Sequence, residues 1–157
     1  MQKDGILHHS AFVAEPGAIS GPDSDDRLPS KESILAQEAY PVHLELYTLS
    51  SSLCGVPRRV HGGVICLLFD GATAMAAIAH QDPDDSRATA YTNVRFLKPV
   101  MIGEDGTATV LIKCQISRRR PAGRKIIVLA SMEGPDGSLY ATAESLIIEM
   151  KARNAKM

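Results

Sequence analysis

The sequence predicts an α+β fold in which an antiparallel sheet wraps around one long central helix. Three observations predict it. The stretch from His61 to His80 holds the longest apolar run, rich in Ala, Leu and Met, with a single charged residue, Asp70, in its middle. That composition favours helix over strand. The segments that follow alternate apolar and polar residues. Short turn sequences part them, Gly134-Pro135-Asp136-Gly137 most clearly, and strands joined that way pair as antiparallel neighbours. At 157 residues, with no internal repeat, the chain fits one domain.

Residues 1–40 read as an N-terminal extension, partly flexible, and residues 41–150 as the domain proper. Within the extension, Ala11 to Ile19 carries Phe12 and Val13 and can pack on the domain. Gly21 to Asp26 is a turn by composition, and Ser30 opens a short helix that runs to Glu38 and is closed by Pro41. Val42 to Leu49 is a strand, with Val42, Leu44 and Leu46 alternating with His43, Glu45 and Tyr47. Ser50 to Arg59 is a loop with Gly55 and Pro57. The central helix follows and ends at Gln81 to Asp85. Four strands come next: Thr89 to Phe96, broken by Lys98-Pro99, then Gly106 to Arg118, Lys125 to Met132 and Leu139 to Met150. Arg118 to Gly123 reads as a turn, and residues 151–157 as a polar tail. A helix apolar on nearly all sides needs other structure around it.

Composition removes several function classes. A formal net charge of -1 gives no basic excess for nucleic acid. With no Trp and 4% aromatics, base-stacking platforms are not expected. The apolar run has an acid inside it and about 16 residues, short of the roughly 20 that a membrane span needs. Cys54, Cys66 and Cys114 are widely spaced and odd in number, which fits neither a disulfide framework nor a zinc site. Reduced thiols and the lack of a secretory signal at Met1 to Gly5 predict a cytoplasmic or organelle-lumen location.

A carboxylate in an apolar run needs a partner or a task. Gly62 and Gly63 stand at the entry of the helix, where the first N–H groups lack internal partners and carry partial positive charge. Such donors suit an anion or a carbonyl oxygen that becomes negative. Asp70 lies seven residues after Gly63, about 10 Å along the helix at 1.5 Å per residue. One chain cannot easily bring both to one carbonyl, but two copies related by a two-fold axis can. The helix geometry therefore predicts a site shared across a dimer interface.

His61-Gly62-Gly63, six further residues and then Asp70 on an apolar helix resemble the hotdog-fold acyl-CoA thioesterases, in the phenylacetyl-CoA-type and human mitochondrial-type branch. The stretch from Thr89 to Val100 is similar to that branch's second strand with its basic residue and proline, here Lys98 and Pro99. Gly123-Arg124-Lys125 and Leu139 to Ser145 are similar to its later strands. The loop from Leu49 to Gly63 resembles fungal members most. The resemblance spans roughly residues 42–150.

The resemblance implies a hotdog fold and hydrolysis of an acyl thioester of coenzyme A or of an acyl carrier protein. The Gly62 or Gly63 N–H would polarise the thioester carbonyl. Asp70 would be general base or nucleophile, Thr89 would hold water or substrate, and His61 would support the loop. It implies no metal and no cofactor beyond the coenzyme A of the substrate, in a homodimer or homotetramer. Arg118, Arg119, Arg120, Arg124 and Lys125 are candidates for the coenzyme A phosphates, since guanidinium groups match phosphate, with Asn93 a further substrate contact. Plainer roles stay open: Asp70 as a structural acid, Thr89 as an ordinary strand residue, and the arginines as a solvated turn. Cys66 is expected to be a small core residue. Rival functions are a related enzyme of secondary metabolism recruited to dehydration, cyclisation or acyl transfer, and a non-catalytic acyl-CoA binding protein.

Overall fold

The computed structural model describes residues 5–14, 40–79, 86–119 and 124–150. Strands β1 (Ile6–Ala14), β2 (Val42–Ser50), β5 (Ser86–Phe96), β6 (Thr107–Arg119), β7 (Lys125–Glu133) and β8 (Leu139–Met150) form one sheet in the order β1-β2-β6-β7-β8-β5. Every pairing in it is antiparallel. The single helix among the described residues longer than one turn, α1 (Gly62–Ile78), packs across β2, β5, β6, β7 and β8. A small hairpin, β3 (Cys54–Val56) with β4 (Arg59–Val60), leads into the helix. The predicted sheet around one helix is therefore the observed architecture.

The helix and the strands after it fall where the sequence places them, because their signals are local: Ala-rich composition for α1 and turn residues between the strands. The expected short helix from Ser30 and the turn at Gly21 lie outside the described residues, as do His80 and residues 120–123. Three features differ from expectation. Residues of the N-terminal extension form β1, which adds to the sheet beside β2. The loop before the helix folds back as the β3–β4 hairpin, turned by Pro57 and by Arg58 at φ 58°. Strand β6 runs through Arg118 to Arg119, so these two residues continue a strand rather than open a turn.

The helix is not wrapped on all sides. Ile65, Leu68, Phe69, Ala72, Thr73, Ala76 and Ala77 are buried against the sheet. Leu67, Met75 and Ile78 remain 68%, 48% and 50% exposed on its other side. At its C-terminal end, the Arg87 guanidinium donates to the Ala77 carbonyl and pairs with Glu149 at 3.1 Å, placing a cation where the helix dipole is negative.

Strand β2 alternates as expected, but its buried set is the polar one: His43, Glu45 and Tyr47 face inward with Leu49. Glu45 is 2% exposed and its carboxylate makes three contacts. His43 Nε2 lies 2.7 Å from Oε1, His9 Nε2 of β1 lies 3.2 Å from Oε2, and the Tyr47 hydroxyl donates to Oε2. The His9 ring stacks on Tyr47 with centroids 4.5 Å apart. Burial pushes the Glu45 carboxyl up, but the hydrogen bonds from His43 and Tyr47 and the histidines' charge outweigh it and hold the carboxyl below its ordinary value. The Tyr47 hydroxyl is pushed up by burial and by donation to Glu45.

A carboxyl with a lowered folded-state pKa contributes stability that is present above its unfolded value of 4.5 and lost as pH falls through the folded value. Glu45→Gln is expected to cost about 2–3 kcal/mol at pH 7, since it leaves buried donors without their charged acceptor. The gap between wild type and variant should shrink below pH 4.5. Urea unfolding of both proteins at pH 7 and pH 3.5 checks this. A gap that does not change with pH sinks the assignment.

Candidate active site

The β3–β4 hairpin brings the chain back against the segment that follows β5, where Val60 N–H donates to the Val100 carbonyl at 3.0 Å. The helix then starts at once. His61 is its N-cap, with φ -65° and ψ 134°, and its Nδ1 accepts from the Gly63 N–H at 2.9 Å. The His61 backbone N–H donates to Leu53. The ring is seated against Gly55, where a side chain would come within 2.5 Å of it. His61 thus supports the loop, and it occupies one of the two glycine N–H groups singled out from the sequence. The other, at Gly62, has no partner among the described residues.

Gly62 forms part of the wall of a groove of ≈ 350 Å³. Val60, Ile65, Phe96 and Val100 give it an apolar floor, and Arg59 and Lys98 bring positive charge. A methyl at Gly62 would sit 3.4 Å from the Phe96 ring. A second hollow of ≈ 400 Å³ lies by the β3–β4 hairpin, lined in part by Cys54, Val56 and Arg58, with neither Gly62 nor Asp70 in its wall.

Asp70 is half-buried rather than enclosed in the apolar run, because one side of α1 is uncovered. It lies eight residues after Gly62, about 12 Å along the helix. No ion pair reaches it among the described residues. Its Oδ1 lies 3.4 Å from the Thr92 hydroxyl of β5. Behind it, Thr92 Oγ1 is 3.0 Å from Ser145 Oγ of β8, which is 2.9 Å from Thr73 Oγ1 of the helix. Thr73 and Ser145 are fully buried. The sequence reading did not single out Thr92, Thr73 or Ser145.

The remaining candidates scatter. Thr89 faces the same side of β5 as Thr92, half-buried. Asn93 points outward on that strand, opposite Glu144. Arg124 and Lys125 are exposed at the start of β7, and Lys125 pairs with Ile148 beside the Arg87–Glu149 pair that meets the end of α1. They therefore stand at the opposite end of the helix from Gly62. Arg120 lies outside the described residues, and of Arg118 and Arg119 only the strand backbone is described. The cations at the groove are Arg59 and Lys98, neither of which the sequence reading put forward as a substrate contact. Cys114 is buried, and burial and then Glu45 push its thiol up, which leaves it inert. Among the described residues no cluster of His, Cys, Asp or Glu is arranged to hold a metal ion, and no helix is long and apolar enough to cross a membrane.

Residues 58–120, which contain the hairpin turn, α1, β5 and β6, match the profile of the Thioesterase superfamily. No curated protein sequence matches the chain. Solved structures do. The phenylacetic acid degradation-related protein of Ralstonia eutropha JMP134 is 23% identical, with 68% of this chain and 75% of that one covered at a TM-score of 0.60. A thioesterase from Haemophilus influenzae is 13% identical, covering 71% and 76% at 0.58. A Bacillus halodurans protein solved with CoA is 21% identical, covering 67% and 66% at 0.56. At these identities the likeness is one of fold: the chain has the hotdog fold, one antiparallel sheet around a single helix.

Proposed function

We propose that the protein hydrolyses an acyl thioester, of coenzyme A or of an acyl carrier protein, to the free acid. The observation that carries this reading is the pairing on one helix of an N–H at Gly62 without a partner among the described residues and a carboxylate at Asp70 that no cation among them neutralises. The Gly62 N–H, at the positive end of α1, takes the charge that develops on the thioester oxygen. Asp70 removes a proton from water, or attacks the carbonyl itself. The profile match over residues 58–120, which holds both groups, and the fold shared with a thioesterase support the same chemistry.

The two groups are about 12 Å apart along one helix, so a site using both takes Gly62 from one copy and Asp70 from another. Two features support that arrangement. Among the described residues, Leu67, Met75 and Ile78 leave an apolar side of α1 uncovered, and β5, which carries Thr92 against Asp70, is an edge strand. Arg59 and Lys98, by the groove, suit the phosphates of coenzyme A.

A thiol-release assay over acyl-CoA substrates of graded chain length and with aryl groups tests this. Turnover is expected for at least one class, with ¹⁸O from labelled water in the acid product. Acyl-CoA that binds without thiol release overturns hydrolysis in favour of a binding protein, and unlabelled product does so in favour of a recruited transfer or dehydration.

A further inference from the structure

We propose that Gly55 is a positioning residue for the oxyanion donor: it keeps the His61 ring on the Gly63 N–H, and so leaves Gly62 as the one glycine N–H open to substrate. The inference rests on the reading of the Gly62 N–H as that donor. It extends the site to β3, ahead of residue 58, where the family match begins.

The hydrogen bonds at the helix start lead to it. The first N–H groups of a helix lack partners in the preceding turn. In α1 one residue takes up three of them. The His61 carbonyl accepts from the Val64 N–H at 3.0 Å and from the Ile65 N–H at 3.3 Å, and His61 Nδ1 accepts from the Gly63 N–H at 2.9 Å. The first two bonds are made by the backbone turn itself. The third depends on where the ring stands, and a side chain can turn between staggered positions. With the ring turned away, Gly62 and Gly63 would both be open, and the choice of donor would be lost.

The ring stands in a slot between two glycines. A Cβ at Gly55 would lie 2.5 Å from its Cδ2 and 3.2 Å from its Cγ, and a Cβ at Gly63 would lie 2.9 Å from its Nδ1 and 3.1 Å from its Cε1. Different edges of the imidazole are thus met, and neither position has room for a side chain. The His61 N–H donates to the Leu53 carbonyl at 2.9 Å, which ties its backbone to the same hairpin. Gly55 reaches the ring because β3 is irregular there. Cys54 pairs with Val60 and Val56 with Arg59, which leaves Gly55 as an extra residue between the two pairs. Such bulges re-aim the chain beside active sites, and a glycine within a strand marks a close approach. Among the described glycines, positive φ occurs at Gly5, Gly106 and Gly137. Residue 55 is therefore glycine for the space it leaves and not for its dihedral angles.

The test reads the solvent-exchange rate of the Gly63 amide by NMR, together with steady-state kinetics. It compares the full chain as wild type, Gly55→Ala, His61→Ala and the double variant. Gly55→Ala is expected to push the ring off and raise Gly63 exchange by about fivefold, the worth of one hydrogen bond. It should lower kcat by about tenfold with KM unchanged, since the disturbed interaction is made in the transition state. With His61→Ala in place there is no ring to displace, so Gly55→Ala is expected to add nothing to either readout. Unmoved Gly63 exchange in Gly55→Ala overturns the inference, as does an effect of equal size with and without the His61 ring. Gly63→Ala presses on the same ring from its Nδ1 edge, keeps its own N–H, and reads the same loss should Gly55→Ala fold poorly. Exchange needs no turnover. A raised rate in a protein that cleaves no thioester keeps Gly55 as the seat of His61 and removes the hydrolase reading. A raised rate with unchanged kcat in an active enzyme does the reverse.

Discussion

Asp70→Asn is expected to lower kcat/KM for thioester hydrolysis by about 10²–10⁴-fold, the range that a positioned general base supplies. Asparagine has the same shape and can still accept from the Thr92 hydroxyl through its carbonyl oxygen, so the contact at 3.4 Å survives. What it loses is basicity and nucleophilicity. Asp70 is half-buried and outside any ion pair among the described residues, so the fold should bear the change within about 0.5 kcal/mol, as for other substitutions away from buried networks. Steady-state kinetics alongside thermal unfolding check both halves. Full activity in a well-folded variant removes Asp70 from the mechanism.

Gly62→Pro is expected to reduce kcat by about 10²–10³-fold with little loss of stability, the magnitude found when one oxyanion donor is deleted. Proline has no N–H, so it removes the proposed donor without removing the residue. Position 62 is the first of the helix, where proline is well tolerated because that N–H has no helical partner. A proline needs an extended residue before it, and His61 already has φ -65° and ψ 134°. The His61 cap on the Gly63 N–H is untouched. If catalysis survives in a folded Gly62→Pro protein, the oxyanion is held elsewhere, and a Gly63 N–H released by movement of His61 becomes the donor to examine.

Much of the fold was legible because its signals are local. Alanine, leucine and methionine mark α1, and glycine-proline turns part the strands from β6 to β8. Strand β1 was not legible. Its partner strand lies beyond a long intervening segment, and most of its side chains stay exposed, so it lacks the apolar alternation that betrays a half-buried strand. The inward polar face of β2 was hidden for the same reason, since Leu44 and Leu46 invite the opposite assignment. At the site, the HGG entry and Asp70 were visible as a spacing along one helix. Which glycine N–H is open was not, because it depends on where the His61 ring turns.

Thr92 was missed for a particular reason. A regular strand that turns Thr89 inward also turns positions 91 and 93 inward. A bulge between Thr89 and Tyr91 shifts the phase, so that Thr92 and Val94 follow Thr89 on the inner side. Nothing in the composition of β5 announces that extra residue. The contact with Ser145, 53 positions on, exists only through the pairing of β5 with β8.

The glutamate beneath β1 also answers a question of alignment. Strands normally find their register by burying one greasy face, and a slip of one residue is punished by exposing it. Strand β1 has little such face: Ile6, Phe12 and Val13 are 46%, 57% and 60% exposed. Its alignment is keyed by chemistry instead. A one-residue slide would send His9 to the outer side, unstack it from Tyr47 and put His8 or Ser10 in its place opposite Tyr47. The outermost strand is thus indexed by one carboxylate, as a pin sets a sliding bolt, and the N-terminal segment has a single position in which it closes the sheet.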